Sequence, residues 1–216
     1  MNLTQRVLDL LFPCRCAACD AIMDAEHTGF CAICEVSLTP LHNAIADEVL
    51  SGLRVLAPDA YGAALADALV RMKHMGRPET AGVLARRITA RWPTTPRRGA
   101  VLVPVPLHVL DLRARGYNQA ALLAAHLARA WGTPISDVLR RARRSGSQRG
   151  RDPSERRGTV AGAFTLRRGA IKRLADRPVI LVDDVVTTGA TALETARVLR
   201  DGGAEVAAVV AAARTL

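Results

Sequence analysis

Apolar positions along the chain change their spacing several times, and each change predicts an element. Leu3, Val7, Leu8, Leu10 and Leu11 fall at helical spacing, so residues 2–12 predict a short amphipathic helix that Pro13 ends. Residues 14–40 carry few periodic hydrophobics and need a staple other than a core. Helical spacing returns over residues 64–75, breaks at Gly76-Arg77-Pro78, and resumes over residues 81–92. Residues 100–106 form a short run with β-branched members, which predicts a strand closing at Pro104-Val105-Pro106. Residues 118–131 predict a helix with Asn118 suited to its N-cap and Gly132 as its stop, while Gln119 faces either the surface or a ligand. Residues 140–160 are polar, basic and rich in Gly and Ser, as in a ligand-facing loop. Residues 178–182 and 206–212 are all-apolar strands on either side of a helix over residues 190–200, which Gly202-Gly203 stops. Apolar strands alternating with helices predict an α/β fold with a parallel sheet flanked by helices.

Composition narrows the class. Half of the 216 residues are hydrophobic and 3% are aromatic, so the core is built from Ala, Val and Leu. The net charge of +10 is concentrated: residues 137–177 hold 13 Arg or Lys against 4 acids, whereas residues 1–60 hold 3 against 8. A basic middle of this kind suits polyanionic ligands, either nucleic acid or phosphorylated metabolites. No run approaches the roughly 18 apolar residues of a membrane span. Asp9 interrupts the first apolar stretch and no small-residue cleavage site follows, so a secretory signal is not expected. The chain is expected to be cytoplasmic, and its cysteines then point to metal rather than disulfides.

Cys16-Ala17-Ala18-Cys19 and Cys31-Ala32-Ile33-Cys34 form two Cys-x-x-Cys knuckles, a four-thiolate set suited to structural Zn²⁺. Metal binding would supply the folding energy that this segment lacks. Cys14 is a fifth thiol, either an alternate to Cys16 or free.

The most specific pattern is Val182-Asp183-Asp184-Val185-Val186-Thr187-Thr188-Gly189-Ala190-Thr191. A buried strand meets two carboxylates, then hydroxyls and a glycine, at the start of a helix. The first helical turn has unpaired N–H groups and partial positive charge. Gly189 lets the backbone wrap an anion closely, and Thr187, Thr188 and Thr191 offer hydroxyl donors. Asp183 and Asp184 stand where open α/β sheets bind ligands and suit the two hydroxyls of a vicinal diol. The pattern fits a sugar phosphomonoester. It lacks the Gly-Lys-Ser/Thr ending of a Walker loop.

This stretch resembles the 5-phosphoribosyl pyrophosphate (PRPP) loop of type I phosphoribosyltransferases. The whole chain from about Phe12 onward resembles the ComF family of competence-associated proteins, most clearly in Val103-Pro104-Val105-Pro106-Leu107-His108 and Arg115-Gly116-Tyr117-Asn118-Gln119. The resemblance implies a type I phosphoribosyltransferase fold with Asp183 and Asp184 on the ribose hydroxyls, and residues 187–191 around the 5′-phosphate. Asp183, Asp184, Val185, Thr187, Thr188, Gly189, Ala190 and Thr191 would then bind PRPP. Pyrophosphate would lie toward residues 105–107 and the cations Lys73, Arg113 and Arg115, accompanied by Mg²⁺. Lys73 equally suits a solvated cation at a helix end. In an active enzyme, Asp183 or Asp184 could assist as a base.

Arg140, Arg141, Arg143, Arg144, Arg149, Arg151, Arg156 and Arg157 crowd into residues 140–157. They suit a phosphodiester track, a solvated face, or further grip on pyrophosphate. With the resemblance, Arg143, Arg144 and Arg149 are expected to contact single-stranded DNA, and competence-machinery proteins are expected partners. The predicted organisation is an N-terminal helix (1–13), a zinc-ribbon-like segment and linker (14–58), and a phosphoribosyltransferase-type domain (59–216). Two functions follow: a PRPP- and Mg²⁺-binding protein assisting DNA uptake in natural transformation, or an active phosphoribosyltransferase with an unidentified base or amine acceptor.

Overall fold

The computed structural model describes residues 13–24, 29–141 and 160–216. The predicted helix over residues 2–12 and the arginines Arg143, Arg144 and Arg149 lie outside the described residues. The chain opens with the cysteine segment and two short helices, α1 (Ala32–Val36) and α2 (Asn43–Ala46). Three strands follow: β1 (Asp47–Leu50), β2 (Leu53–Leu56) and β3 (Asp59–Ala60). Helices α3 (Ala63–His74) and α4 (Thr80–Arg91) then lead into β4 (Val101–Pro104). After it come α5 (Val109–Arg115), α6 (Gln119–Trp131), β5 (Leu139–Arg141), β6 (Phe164–Leu166) and α7 (Ala170–Leu174). The chain closes through β7 (Val179–Val186), α8 (Ala190–Asp201) and β8 (Val206–Arg214).

The main sheet runs β1-β2-β8-β7-β4, with β3 also paired to β8. All its pairings are parallel except β1 with β2. Residues 47–56, which the sequence suggested as linker, are therefore strands of this sheet. They form a hairpin whose turn residues Ser51 and Gly52 have φ of 48° and 76°, the left-handed pair of a type I′ turn.

Side chains alternate across the sheet and both faces are covered, which explains why the central strands are apolar throughout. Leu102, Ile180, Val182, Ala208 and Val210 face one core with α3, α4 and α6. Val101, Val103, Val179, Leu181 and Val209 face the other with α7, α8 and the β5–β6 ribbon. On the first face, the buried Asp59 takes a two-pronged contact from Arg87, at 2.7 Å from Nε and 2.8 Å from Nη2, which ties β3 to α4.

The strand expected to end at Val182 continues through Val186. Asp183, Val185 and Val186 still pair with Ala211, Ala213 and Arg214 of β8. On the other side, β4 ends at Pro104 opposite Val182, and Val105 makes the last link, its N–H donating to the Val182 carbonyl at 2.9 Å. Beyond Val182, then, β7 has a neighbour on one side only. That opening at the carboxyl edge of the sheet is the crevice where such folds take ligands.

Candidate functional site

Because side chains alternate along a strand, Asp183 and Asp184 leave β7 toward opposite faces. Asp184 shares the face of Val182 and meets α3: Lys73 Nζ lies 3.0 Å from Asp184 Oδ2, with both side chains largely covered. Lys73 is thus an ion-pair partner in the crevice. Asp183 takes the other face, and its carboxylate accepts the Asp184 backbone N–H at 2.9 Å. Burial and the neighbouring Asp184 charge push the Asp183 carboxyl up to about 7, against the opposing pull of that N–H, Lys73 and Arg141.

The turn after β7 consists of Thr187, Thr188 and Gly189, and α8 starts at Ala190. Gly189 has φ of +77°, and a Cβ placed there would fall 2.2 Å from Leu50 Cδ2 of the β1–β2 hairpin. The left-handed backbone conformation favours glycine here, and any larger residue would also push the Leu50 side-chain tip aside. No side chain caps α8, although the Ala190 N–H makes a long 3.4 Å contact to Thr188 Oγ1. A shallow cavity of about 40 Å³ is bounded by Asp183 and residues 185–192. Thr187 and Thr188 are exposed at its rim.

The predicted cations are placed unevenly. Arg113 is exposed and, among the described residues, makes no hydrogen bond or ion pair. Arg115 is half-buried and close enough to Tyr117 to act on it electrostatically. Asn118 caps α6 by accepting the Ala120 N–H at 3.0 Å, and its amide donates to the Val105 carbonyl at 3.0 Å. Gln119 is buried, with its Nε2 unpaired.

Three neighbours of the crevice have contacts that the sequence does not assign. Arg141, at the end of β5, acts on Asp183 and lies over the Phe164 ring at 5.4 Å. Leu50 packs against Gly189, and the Tyr117 hydroxyl donates to the Met72 carbonyl at 2.6 Å. Arg141 and Tyr117 stand inside basic or motif stretches already singled out, but spacing gives no direction for either side chain. For Leu50 no sequence signal exists, since its contact joins chain segments about 140 residues apart.

The cysteines converge as their spacing suggests. The Sγ atoms of Cys16, Cys19, Cys31 and Cys34 all lie within 4.8 Å of one another, and Cys19 and Cys31 are 3.7 Å apart. Four thiolates around Zn²⁺ at about 2.3 Å stand about 3.8 Å from each other, so the set fits a tetrahedral ion. Burial raises the Cys16 thiol, but backbone N–H donors from Cys19, Cys31 and Ala18 outweigh it and bring it down to about 6, favouring a thiolate ligand. Burial and the other thiols push Cys34 up, as expected of one thiol among several without a cation. Cys14 stays outside the cluster. The segment is moored to α3 and the loop after it: Arg71 Nε donates to the Ala18 carbonyl, and Arg77 pairs with Asp20.

A larger cavity of about 860 Å³ lies between the cysteine segment and α4, beside Phe30, Leu41, Val83 and Arg87, and contains none of the crevice residues.

Residues 107–215 match the phosphoribosyl transferase domain family. Competence protein F of Haemophilus influenzae is 38% identical over 107 residues, 48% of this chain and 45% of that protein. The alignment with it thus spans less than half of that relative's length. DNA utilization protein YhgH of Escherichia coli K12 is 30% identical over 172 residues, 76% of this chain and 73% of that protein. The protein of the same name from Salmonella typhimurium is 28% identical over an alignment that covers 96% of this chain and all of that one. With a four-cysteine cluster packed beside a mostly parallel sheet, the chain belongs to the ComF family and carries a type I phosphoribosyltransferase fold.

Proposed function

We propose that the chain binds PRPP with Mg²⁺ in the crevice at the end of β7 and, in that form, assists the passage of single-stranded DNA in natural transformation from the cytoplasmic side. One observation carries the first part. Paired carboxylates, a Thr-Thr-Gly turn and an uncapped helix start meet where β7 loses its neighbour β4. The helix start and Gly189 suit the 5′-phosphate, with Thr187, Thr188 and Thr191 as hydroxyl donors. Val185 and Ala190 supply backbone, and Asp183 and Asp184 suit the ribose hydroxyls. Lys73 stands beside Asp184, where the pyrophosphate charge would need a cation, with Arg113 and Arg115 as further candidates. Mg²⁺ bound with PRPP would screen the pyrophosphate oxygens.

The DNA part draws on the names of the relatives, one a competence protein and the others DNA utilization proteins, and on the basic composition of residues 137–177. Arg143, Arg144 and Arg149 remain the proposed contacts, with other competence proteins as partners. No helix among the described residues is long and apolar enough to cross a membrane. The cysteine cluster is proposed to hold structural Zn²⁺.

Calorimetric titration tests this reading. PRPP with Mg²⁺ is expected to bind at micromolar or tighter levels, and metal-free PRPP at least tenfold more weakly. Adding single-stranded DNA is expected to change the heat of the same titration in a salt-dependent way. Absence of PRPP binding in the presence of Mg²⁺ would end the proposal.

A second reading, an active phosphoribosyltransferase, is favoured by Asp183, whose carboxyl sits near neutrality, as a general base requires. Pyrophosphate release that depends on an added base or amine, and disappears in Asp183→Asn even at saturating PRPP, is its expected mark. Silence across a broad acceptor panel counts against it.

A further inference from the structure

Two consecutive side chains of the 115–119 motif reach different walls of the crevice. The Tyr117 hydroxyl donates to the carbonyl of Met72 at 2.6 Å, the residue just before Lys73 near the end of α3. The Asn118 amide donates to the carbonyl of Val105 at 3.0 Å, the residue whose own N–H closes the last link between β4 and β7. Asn118 also accepts the Ala120 N–H, which fixes its side chain to α6. Gly116, at φ of +80°, ends α5 and lets the chain turn into this arrangement.

The carbonyls at a helix end lack partners within the helix, and the Met72 carbonyl is one of the last four of α3. Tyr117 therefore supplies a bond the helix cannot supply itself. It does so one residue away from the amine that faces Asp184. A lysine ammonium sits on a flexible four-carbon stem, so a fixed backbone anchor narrows the positions it can reach.

We propose that Tyr117 and Asn118 form a brace that sets the distance between the two walls of the crevice, and that Tyr117 is the positioning residue for Lys73 opposite Asp184. The brace deepens the PRPP reading and rests on it for its purpose, though not for its geometry. Tyr117 acts through Lys73, by way of the Met72 carbonyl. Asn118 holds the β4 wall while Tyr117 holds the α3 wall, both from the start of one helix.

Lys73 and Lys172 are the only lysines of the chain, which gives a readout independent of PRPP. Reductive methylation with ¹³C-formaldehyde would label the two side-chain amines, and Lys73→Met assigns their signals. In Tyr117→Phe, the Lys73 methyl signal is expected to move toward its position in Asp184→Asn, with Lys172 unmoved. A Lys73 signal unchanged in Tyr117→Phe but moved in Asp184→Asn overturns the brace.

Titration of PRPP with Mg²⁺ into the same proteins is expected to show about threefold to tenfold weaker binding in Tyr117→Phe, the loss of one hydrogen bond. The double variant Tyr117→Phe/Lys73→Met is expected to bind no more weakly than Lys73→Met alone, because the hydroxyl acts through the lysine. Fully additive losses refute that route. If wild-type protein fails to bind PRPP while the Lys73 signal still follows Tyr117, the PRPP reading falls and the brace stands.

Discussion

Exchanging Cys19 and Cys31 together for Ser is expected to empty a zinc site and to lower the unfolding temperature by roughly 10 °C. The thiolates lie at the spacing a tetrahedral ion requires, and structural zinc contributes about 10–16 kcal/mol to the folding of isolated small domains. Here only part of that would be lost, because Cys16, Ala17 and Ala18 are also packed into the core with Leu65, Leu69 and Met72. A loss of about 4 kcal/mol corresponds to roughly 10 °C for a chain of this size. Metal analysis is expected to find about one zinc per chain in the wild type and little in the variant. Cys14→Ser, outside the cluster, is expected to retain it. A double variant that keeps both its zinc and its melting temperature would dismiss the site. Since Arg71 and Arg77 moor this segment to α3 and the loop beyond, the exchange is also expected to weaken PRPP binding through the wall that carries Lys73.

Asp183→Asn is expected to stabilise the protein and to impair it at the same time. Unfolded, the Asp183 carboxyl releases its proton near pH 3.8; folded, it keeps the proton to about pH 7. Between those values the folded state binds more protons, so this group makes stability fall as pH rises, and the full cost remains above pH 7. Three pH units would amount to about 4 kcal/mol; partial exposure of Asp183 reduces this to roughly 2 kcal/mol. The amide carries no such cost. The variant is expected to gain about that much at pH 8 and nothing at pH 3, measured by urea unfolding at both values. Its affinity for PRPP with Mg²⁺ is expected to drop by tenfold or more, since a hydrogen bond to a charged group contributes about 1.5–3 kcal/mol. Opposite signs for stability and binding mark a residue kept for its ligand rather than for the fold. A variant destabilised at pH 8 would contradict the account of Asp183.

The sequence made β7, α8 and β8 legible because two uninterrupted apolar strands flank an amphipathic helix with Gly189 and Gly202 at its ends. It also disclosed the cysteine cluster, whose ligand set follows from the spacing of two Cys-x-x-Cys knuckles. It placed the end of β7 four residues early. Carboxylates are depleted in strands, yet Asp183 is accommodated because β4 has already departed on one side while β8 still pairs on the other. It passed over the β1–β2 hairpin, where charged Asp47, Glu48 and Arg54 dilute the alternation. In the fold, those charges bind one another or Arg214: Arg54 pairs with Asp47, and Arg214 with Glu48. The crevice was legible as a list of residues, whereas the opposed directions of Asp183 and Asp184 and the linkages of Tyr117 and Leu50 belong to the tertiary arrangement.

The stretch that matches the phosphoribosyl transferase family begins at residue 107, after four of the six strands of the main sheet have been laid down. A polypeptide cut there would keep β7 and β8 as a lone ribbon, bare along both rims, and would lose Leu50 from the back of the phosphate turn as well as Lys73. Such a fragment is a hallmark of ancestry without being a self-sufficient folding unit. Expressed by itself, it would recruit further copies edge to edge and precipitate.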